Sequence, residues 1–135
     1  MSAPIRIAIA GHGNLGRGVE AAITRNPDMR LVGIYSRRPP SQIQPLTAGV
    51  PVHGMDALAG HASGIDVLIL CGGSKEDLPE QGPKLAALCN TVDSFDTHAR
   101  IPEYFAAVDA PARPHGKTSP ISAGWTTGIA RPTPS

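Results

Sequence analysis

The sequence predicts an α/β fold built on a doubly wound parallel sheet. Apolar, β-branched runs of strand length alternate with segments of helical period along residues 5–109. The first of these runs ends directly in a glycine-rich turn that opens a helix, which is the order of a βαβ unit.

The elements follow in order. Ile5 to Ala10 (IRIAIA) reads as a strand buried on both faces, as parallel sheets require. Gly11-His12-Gly13-Asn14-Leu15-Gly16 follows without a break, and from Leu15 to Thr24 a helical period sets Leu15, Val19, Ala22 and Ile23 on one face. Asn26-Pro27 stops that helix, and Arg30 to Tyr35 is the second strand. Val50 to His53 predicts a weak strand and Met55 to His61 a short helix. Ile65 to Cys71 (IDVLILC) is the most apolar strand of the chain and is expected at the centre of the sheet. Pro79 suits the first turn of a helix running to Leu88. Thr91 to Asp93 reads as a brief strand, Ile101 to Asp109 as a helix that Pro111 and Pro114 interrupt, and Thr118 to Ala123 as a last strand bent at Pro120.

Composition bounds what this fold serves. The chain has 135 residues, enough to bury a core without a disulfide or metal staple. A formal net charge of +1 offers no electrostatic grip on nucleic acid or an anionic membrane. No apolar stretch approaches the ~20 residues of a membrane span, and the N-terminus lacks the basic segment of a signal peptide. Cys71 and Cys89 show neither zinc nor redox spacing and read as reduced, packed thiols. The expected location is cytoplasmic. Proline makes up 14 residues, many of them late in the chain, including Pro132 and Pro134.

Four segments carry chemistry. In the turn, Gly11 permits a sharp reversal, Gly13 lets backbone approach a pyrophosphate, and Gly16 lets the helix pack closely, while the helix N-terminus offers free N–H groups to phosphate. The alternative is a purely structural turn, but the strand–turn–helix context favours a dinucleotide. Ser36-Arg37-Arg38 closes the second strand, where NAD-binding domains carry an acid for the ribose 2′-hydroxyl. An arginine fork with a hydroxyl suits a 2′-phosphate instead, so the expected cofactor is NADP; the bland reading is a solvated basic loop. Cys71-Gly72-Gly73-Ser74 follows the third long strand and is either a plain βα turn or a second close approach to cofactor, with Ser74 as a donor. Asp93-Ser94-Phe95-Asp96-Thr97-His98 sets two carboxylates and a histidine at another strand end. With no further ligand at metal spacing, no metal is expected, and a carboxylate there is suited to an ammonium group; the alternative is that Asp93 caps a turn while Asp96 and His98 are solvated.

Taken in order, these segments resemble meso-diaminopimelate D-dehydrogenases. The resemblance is carried by Ile7 to Arg17 (IAIAGHGNLGR), Leu31 to Arg38 (LVGIYSRR), Asp66 to Ser74 (DVLILCGGS), Pro79 to Pro83 (PEQGP), Thr91 to His98 (TVDSFDTH) and Ser122 to Trp125 (SAGW). It implies a Rossmann-type cofactor domain over residues 1–123, followed by an irregular tail, 124–135, where the family's substrate-binding and dimerising domain would begin. It also implies NADP-dependent oxidative deamination of the D-centre of meso-2,6-diaminopimelate (DAP) to L-2-amino-6-oxopimelate and ammonia, which serves lysine synthesis, and a homodimer in the complete enzyme. In that chemistry hydride passes from the D-carbon to the nicotinamide, and water hydrolyses the resulting imine.

By the same resemblance His12, Gly13, Asn14 and Leu15 hold the pyrophosphate, and Ser36, Arg37 and Arg38 the 2′-phosphate. Cys71, Gly72, Gly73, Ser74, Ser94, Phe95, Ala123, Gly124 and Trp125 lie along the cofactor, and Asp96 contacts both cofactor and the reacting D-centre. The sequence departs from the family after Trp125, where Thr126 stands in place of a substrate-binding aspartate. That departure, with the late prolines, predicts a cofactor domain without its catalytic partner. Two other functions fit the residues: a stand-alone NADP-binding module that pairs with another chain, and a different amino-acid or sugar dehydrogenase on the same cofactor domain.

Overall fold

A computed structural model of the chain describes residues 3–72, 77–93, 100–119 and 121. It divides into two compact units, residues 1–71 and 72–135.

The first unit holds the βαβ motif. Strand β1 (Ile5–Ala10) leads through α1 (Asn14–Thr24) to β2 (Met29–Ser36), then to β3 (Val52–Gly54), a 3-10 turn at Met55–Ala57, the short helix α2 (Leu58–His61) and β4 (Val67–Leu70). The four strands are parallel and run in the order β3-β2-β1-β4. Strand β1 is flanked by β2 and β4, and the most apolar strand, β4, lies in the interior of the sheet as its sequence predicts. Residues 7–10 of β1 are buried without a break, because neighbours on both sides and cover on both faces leave no solvent side. Ile7, Ile9, Ile23 and Cys71 form a buried cluster, with Val19, Met29, Leu31 and Ile69 packed against it. Ile7, Ile9 and Ile23, which are fully withdrawn from water, each contribute about 1.5–3 kcal/mol, and the partly buried side chains less.

Register positions the site. Ala10 lies opposite both Tyr35 and Leu70, and Ser36 lies opposite Gly54. The strands therefore end level with one another, and the residues after β1, β2 and β4 leave from one edge, the carboxyl edge where open parallel sheets bind ligands. Beyond β4, the backbone N–H of Cys71 still donates to the Ala10 carbonyl (2.7 Å).

Helix α1 turns a different face inward from the one its apolar residues suggest. Leu15 (46% exposed) and Ala22 lie outside, while Gly16, Glu20 and Ile23 are buried and Val19 is half-buried. The physical reason lies at the turn: Gly16 must meet the backbone of Gly11, and that contact rotates the helix.

The second unit contains α3 (Leu78–Ala86), β5 (Thr91–Asp93) and α4 (Ile101–Ala112). Here α3 ends two residues short of the expected Leu88. Helix α4 runs through Pro111 instead of breaking before it, because a proline in the last turn costs one backbone bond and leaves the rest of the ladder whole. A 3-10 turn at Arg113–His115 follows, and Gly116 (φ 65°) closes it in a Schellman arrangement, with Lys117 N–H donating to Ala112 O (3.0 Å). Thr118 and Ser119 do not form the expected strand. They lie beside the start of β5 through Thr91 N–H to Thr118 O (3.0 Å) and Thr91 Oγ1 to Ser119 Oγ (2.7 Å). Among the described residues no helix is long and apolar enough to cross a membrane, and no three His, Cys, Asp or Glu side chains gather as metal ligands would.

Candidate functional site

The turn after β1 is built by three glycines with three different environments. Gly11 takes φ 101°, which an L side chain rarely adopts, and its N–H donates to Tyr35 O (2.7 Å), tying the turn to β2. At Gly16 a Cβ would lie 2.2 Å from the Gly11 carbonyl oxygen, so helix and turn touch backbone to backbone. At Gly13, the N-cap of α1, a Cβ would meet nothing within 4 Å among the described residues. Gly13 is therefore not required by packing; it leaves open space directly before a helix N-terminus. Among the described residues that terminus has no side-chain cap, and there is no acid in its first turn, so its leading N–H groups and positive dipole end suit an anion.

Ser36, Arg37 and Arg38 leave β2 at the same edge. The Ser36 hydroxyl is buried and accepts from Arg38 N–H (3.1 Å), which folds the segment back on itself. Both arginines are exposed, and Arg38 Nη2 donates to the carbonyl oxygen of His12 (3.1 Å). The 2′-phosphate candidate is thereby brought onto the glycine turn. His12 itself points inward. Its buried ring Nε2 lies 2.7 Å from Glu20 Oε1, and Glu20 Oε2 accepts from the Thr47 backbone N–H (2.7 Å). Burial pushes the Glu20 carboxyl up, but His12 and the N–H groups of Leu46 and Thr47 outweigh it and hold it below the usual range. Sequence reasoning missed Glu20 as a part of this site. The available signal was its spacing, four residues beyond Gly16 and so on the same helical face.

Cys71, immediately after β4, is packed against the turn, with its Cβ 3.6 Å from where a Gly16 Cβ would be. Burial pushes its thiol up to about 12, so it has no thiolate character at neutral pH. Beneath the edge, Tyr35 Oη pairs with His61 Nδ1 (2.7 Å), and His53 stacks on the Tyr35 ring at 5.3 Å between centroids.

In the second unit, Gly72 is packed beside the start of α3, where a Cβ would lie 2.8 Å from that of Asp77. Asp93, the last residue of β5, is buried and accepts from Tyr104 Oη (2.5 Å). Burial and this carboxylate both push the Tyr104 hydroxyl up. Gly82 gives Tyr104 its room, since a Cβ there would lie 2.0 Å from the hydroxyl. Gly73, Ser74, Ser94, Phe95, Asp96, Thr97, His98, Ala123, Gly124, Trp125 and Thr126 fall outside the described residues.

Comparison with known proteins yields no matching family profile. A curated meso-diaminopimelate D-dehydrogenase from Lysinibacillus sphaericus is 56% identical over 125 residues, which are 93% of this chain and 38% of that protein. Among solved structures, an engineered D-amino acid dehydrogenase bound to NADP+ superposes with a TM-score of 0.83 at 44% identity, over 93% of this chain and 38% of that one. A C. glutamicum DAP dehydrogenase in complex with DAP also gives 0.83, at 43% identity over 95% and 38%. The chain thus spans about two fifths of the length of the relatives it matches, and its fold is of the Rossmann type found in these dehydrogenases.

Proposed function

This chain belongs to the meso-diaminopimelate D-dehydrogenase family over its matched 125 residues, and from that premise we propose that residues 1–123 bind NADP for the oxidative deamination of the D-centre of meso-DAP. The observation that carries the cofactor reading is the cradle at Gly13. There the backbone stands open before an uncapped helix end, while its neighbours Gly11 and Gly16 are committed to the turn itself. A pyrophosphate fits this donor set by charge and by room.

In the proposed complex the backbone from His12 through Gly13, Asn14 and Leu15 receives the pyrophosphate, and Arg38, Arg37 and the Ser36 hydroxyl receive the 2′-phosphate. The Ser36 oxygen already accepts from Arg38 N–H, which leaves its own O–H to donate. When bound, the nicotinamide supplies the hydride acceptor. The roles along the cofactor proposed for Cys71, Gly72, Gly73, Ser74, Ser94, Phe95, Ala123, Gly124 and Trp125 rest on the family resemblance, as does the role of Asp96 at the substrate. Asp96 is suited to orient the amine of the D-centre, and Thr126 occupies the position of the family's second substrate carboxylate. The complete enzyme would act as a cytoplasmic homodimer.

Parallel calorimetric titrations of the 135-residue chain with NADP and NAD test the cofactor reading. The expected result is binding that favours NADP; equal affinities or none would refute it. Deamination of meso-DAP with NADP tests the reaction, and NADP binding without turnover would favour the binding-module reading for this chain.

A further inference from the structure

We propose that Glu20 is a positioning residue for cofactor choice, holding the glycine turn so that the His12 carbonyl sets the Arg38 guanidinium where a 2′-phosphate is read. This rests on the NADP reading above and extends it to a residue that touches no cofactor atom.

The turn has an internal weakness. His12 lies between two glycines, and glycine on either side leaves its peptide planes free to rotate. Yet the His12 carbonyl must face Arg38 for the 3.1 Å bond to form. What stops the rotation is the other side of the same residue. The His12 ring is driven inward, and its Nε2 is held at 2.7 Å by a carboxylate that is itself wholly buried. Glu20 does not merely fill that space. A buried carboxylate is costly unless its lone pairs are occupied, and both oxygens are taken, one by His12 and one by the Thr47 N–H at 2.7 Å. Its two contacts clamp the turn to the segment after β2, and charge-assisted bonds at this length are the strong kind.

Arg38 is held at both ends. Its N–H is on Ser36 Oγ and one guanidinium nitrogen is on His12 O. A guanidinium has five donors, so one spent on the carbonyl leaves the rest of the fork for phosphate oxygens. A flexible side chain so tethered loses less freedom when the phosphate arrives. NAD has no 2′-phosphate and gains nothing from this tether. The clamp at Glu20 therefore favours NADP through Arg38, whereas a merely structural role would affect both cofactors alike.

The test is a double-mutant cycle on the 135-residue chain, with NADP and NAD affinities measured by calorimetry for the unmodified chain, Glu20→Ala, Arg38→Met and the pair. Glu20→Ala is expected to weaken NADP about tenfold, the scale of one charged hydrogen bond, and NAD by under about threefold. In the Arg38→Met background the extra loss for NADP should vanish. Equal losses for the two cofactors, or an NADP-specific loss that persists without Arg38, overturns the proposal. A chain that shows no NADP preference before mutation overturns the cofactor reading first, so the two failures are told apart. Should Glu20→Ala not fold, as judged by circular dichroism, the unmodified chain still decides. The His12 imidazole nitrogen resonances should move with adenosine 2′,5′-bisphosphate and not with ADP; an equal response, or none, overturns the coupling.

Discussion

Alanine at Gly13 and alanine at Gly16 should have opposite consequences, although the two glycines belong to one motif. At Gly16 the new Cβ would sit 2.2 Å from the Gly11 carbonyl oxygen and 3.1 Å from its carbon. That oxygen cannot retreat cheaply, because Gly11 is held at φ 101° with its N–H on Tyr35 O. Overpacking of this kind costs about 1–3 kcal/mol. With backbone as the obstacle the upper end applies, and alanine returns at most ~1 kcal/mol in helix propensity. The net loss is about 2 kcal/mol, or roughly 7 °C in Tm for a chain of this size. At Gly13 the φ of −87° suits any residue and a Cβ meets nothing. Stability should therefore change by no more than about 0.5 kcal/mol. NADP affinity should nonetheless fall at least about tenfold, since the methyl enters the space in which backbone and pyrophosphate would meet. Thermal unfolding followed by circular dichroism, paired with NADP titration, reads both quantities. A Gly13→Ala chain that binds NADP normally would refute the cradle, and a Gly16→Ala chain that melts unchanged would refute the backbone contact.

Three further outcomes follow from the packing of Gly82, Glu20 and the two cysteines. Gly82→Ala places a Cβ 2.0 Å from Tyr104 Oη and should break the Tyr104–Asp93 bond at a cost of about 2 kcal/mol in urea unfolding; in a Tyr104→Ala background the same change should be neutral or stabilising. Because the Glu20 carboxyl is held below its ordinary value in the fold, its contribution to stability is fully present above the unfolded pKa of ~4.3 and is lost as pH falls through the lower folded value. Glu20→Gln should flatten the acid limb of the urea midpoint below about pH 4, and an unchanged limb would mean the carboxylate is not so held. Cys71, pushed up to about 12, and Cys89, also raised by burial, should resist iodoacetamide at pH 8 until urea is added; fast alkylation of the native chain at Cys71 would mean the thiol is open.

What could be read from the residues tracks how local its cause is. The run Ile5 to Ala10 coincides with β1, because continuous β-branched apolar residues bounded by glycine have one good use in a parallel sheet. The interior of β2 was equally plain, and only its ends extend, to Met29 and Ser36. The face of α1 was not plain. Leu15 and Ala22 are apolar by type, yet they are exposed, and glycine and glutamate take the inward positions. An apolar count cannot register a helix rotated by backbone contact at Gly16. Pro111 misleads for a related reason: the one backbone bond it removes is a local cost, and the buried side chains of Val108 and Ala112 on either side of it hold the last turn in place, which residue type alone does not show.

The same distinction governs the candidate site. Glycines at 11, 13 and 16 announce that a turn can be made, and Ser36-Arg37-Arg38 announces charge for a phosphate. Neither segment says that the two are joined. The join is a backbone carbonyl at His12, whose direction depends on a ring, whose place depends on a buried carboxylate one helical turn beyond Gly16. Each link is ordinary, and none has a residue-type signature, since a carbonyl belongs to every residue and a glutamate in a surface helix usually faces water. A motif made of glycine is also the part of a site least able to hold its own shape. Its rigidity has to come from side chains outside it, so in this chain the selectivity proposed for residues 36–38 should be adjustable from position 20 without altering a single atom proposed to meet the cofactor.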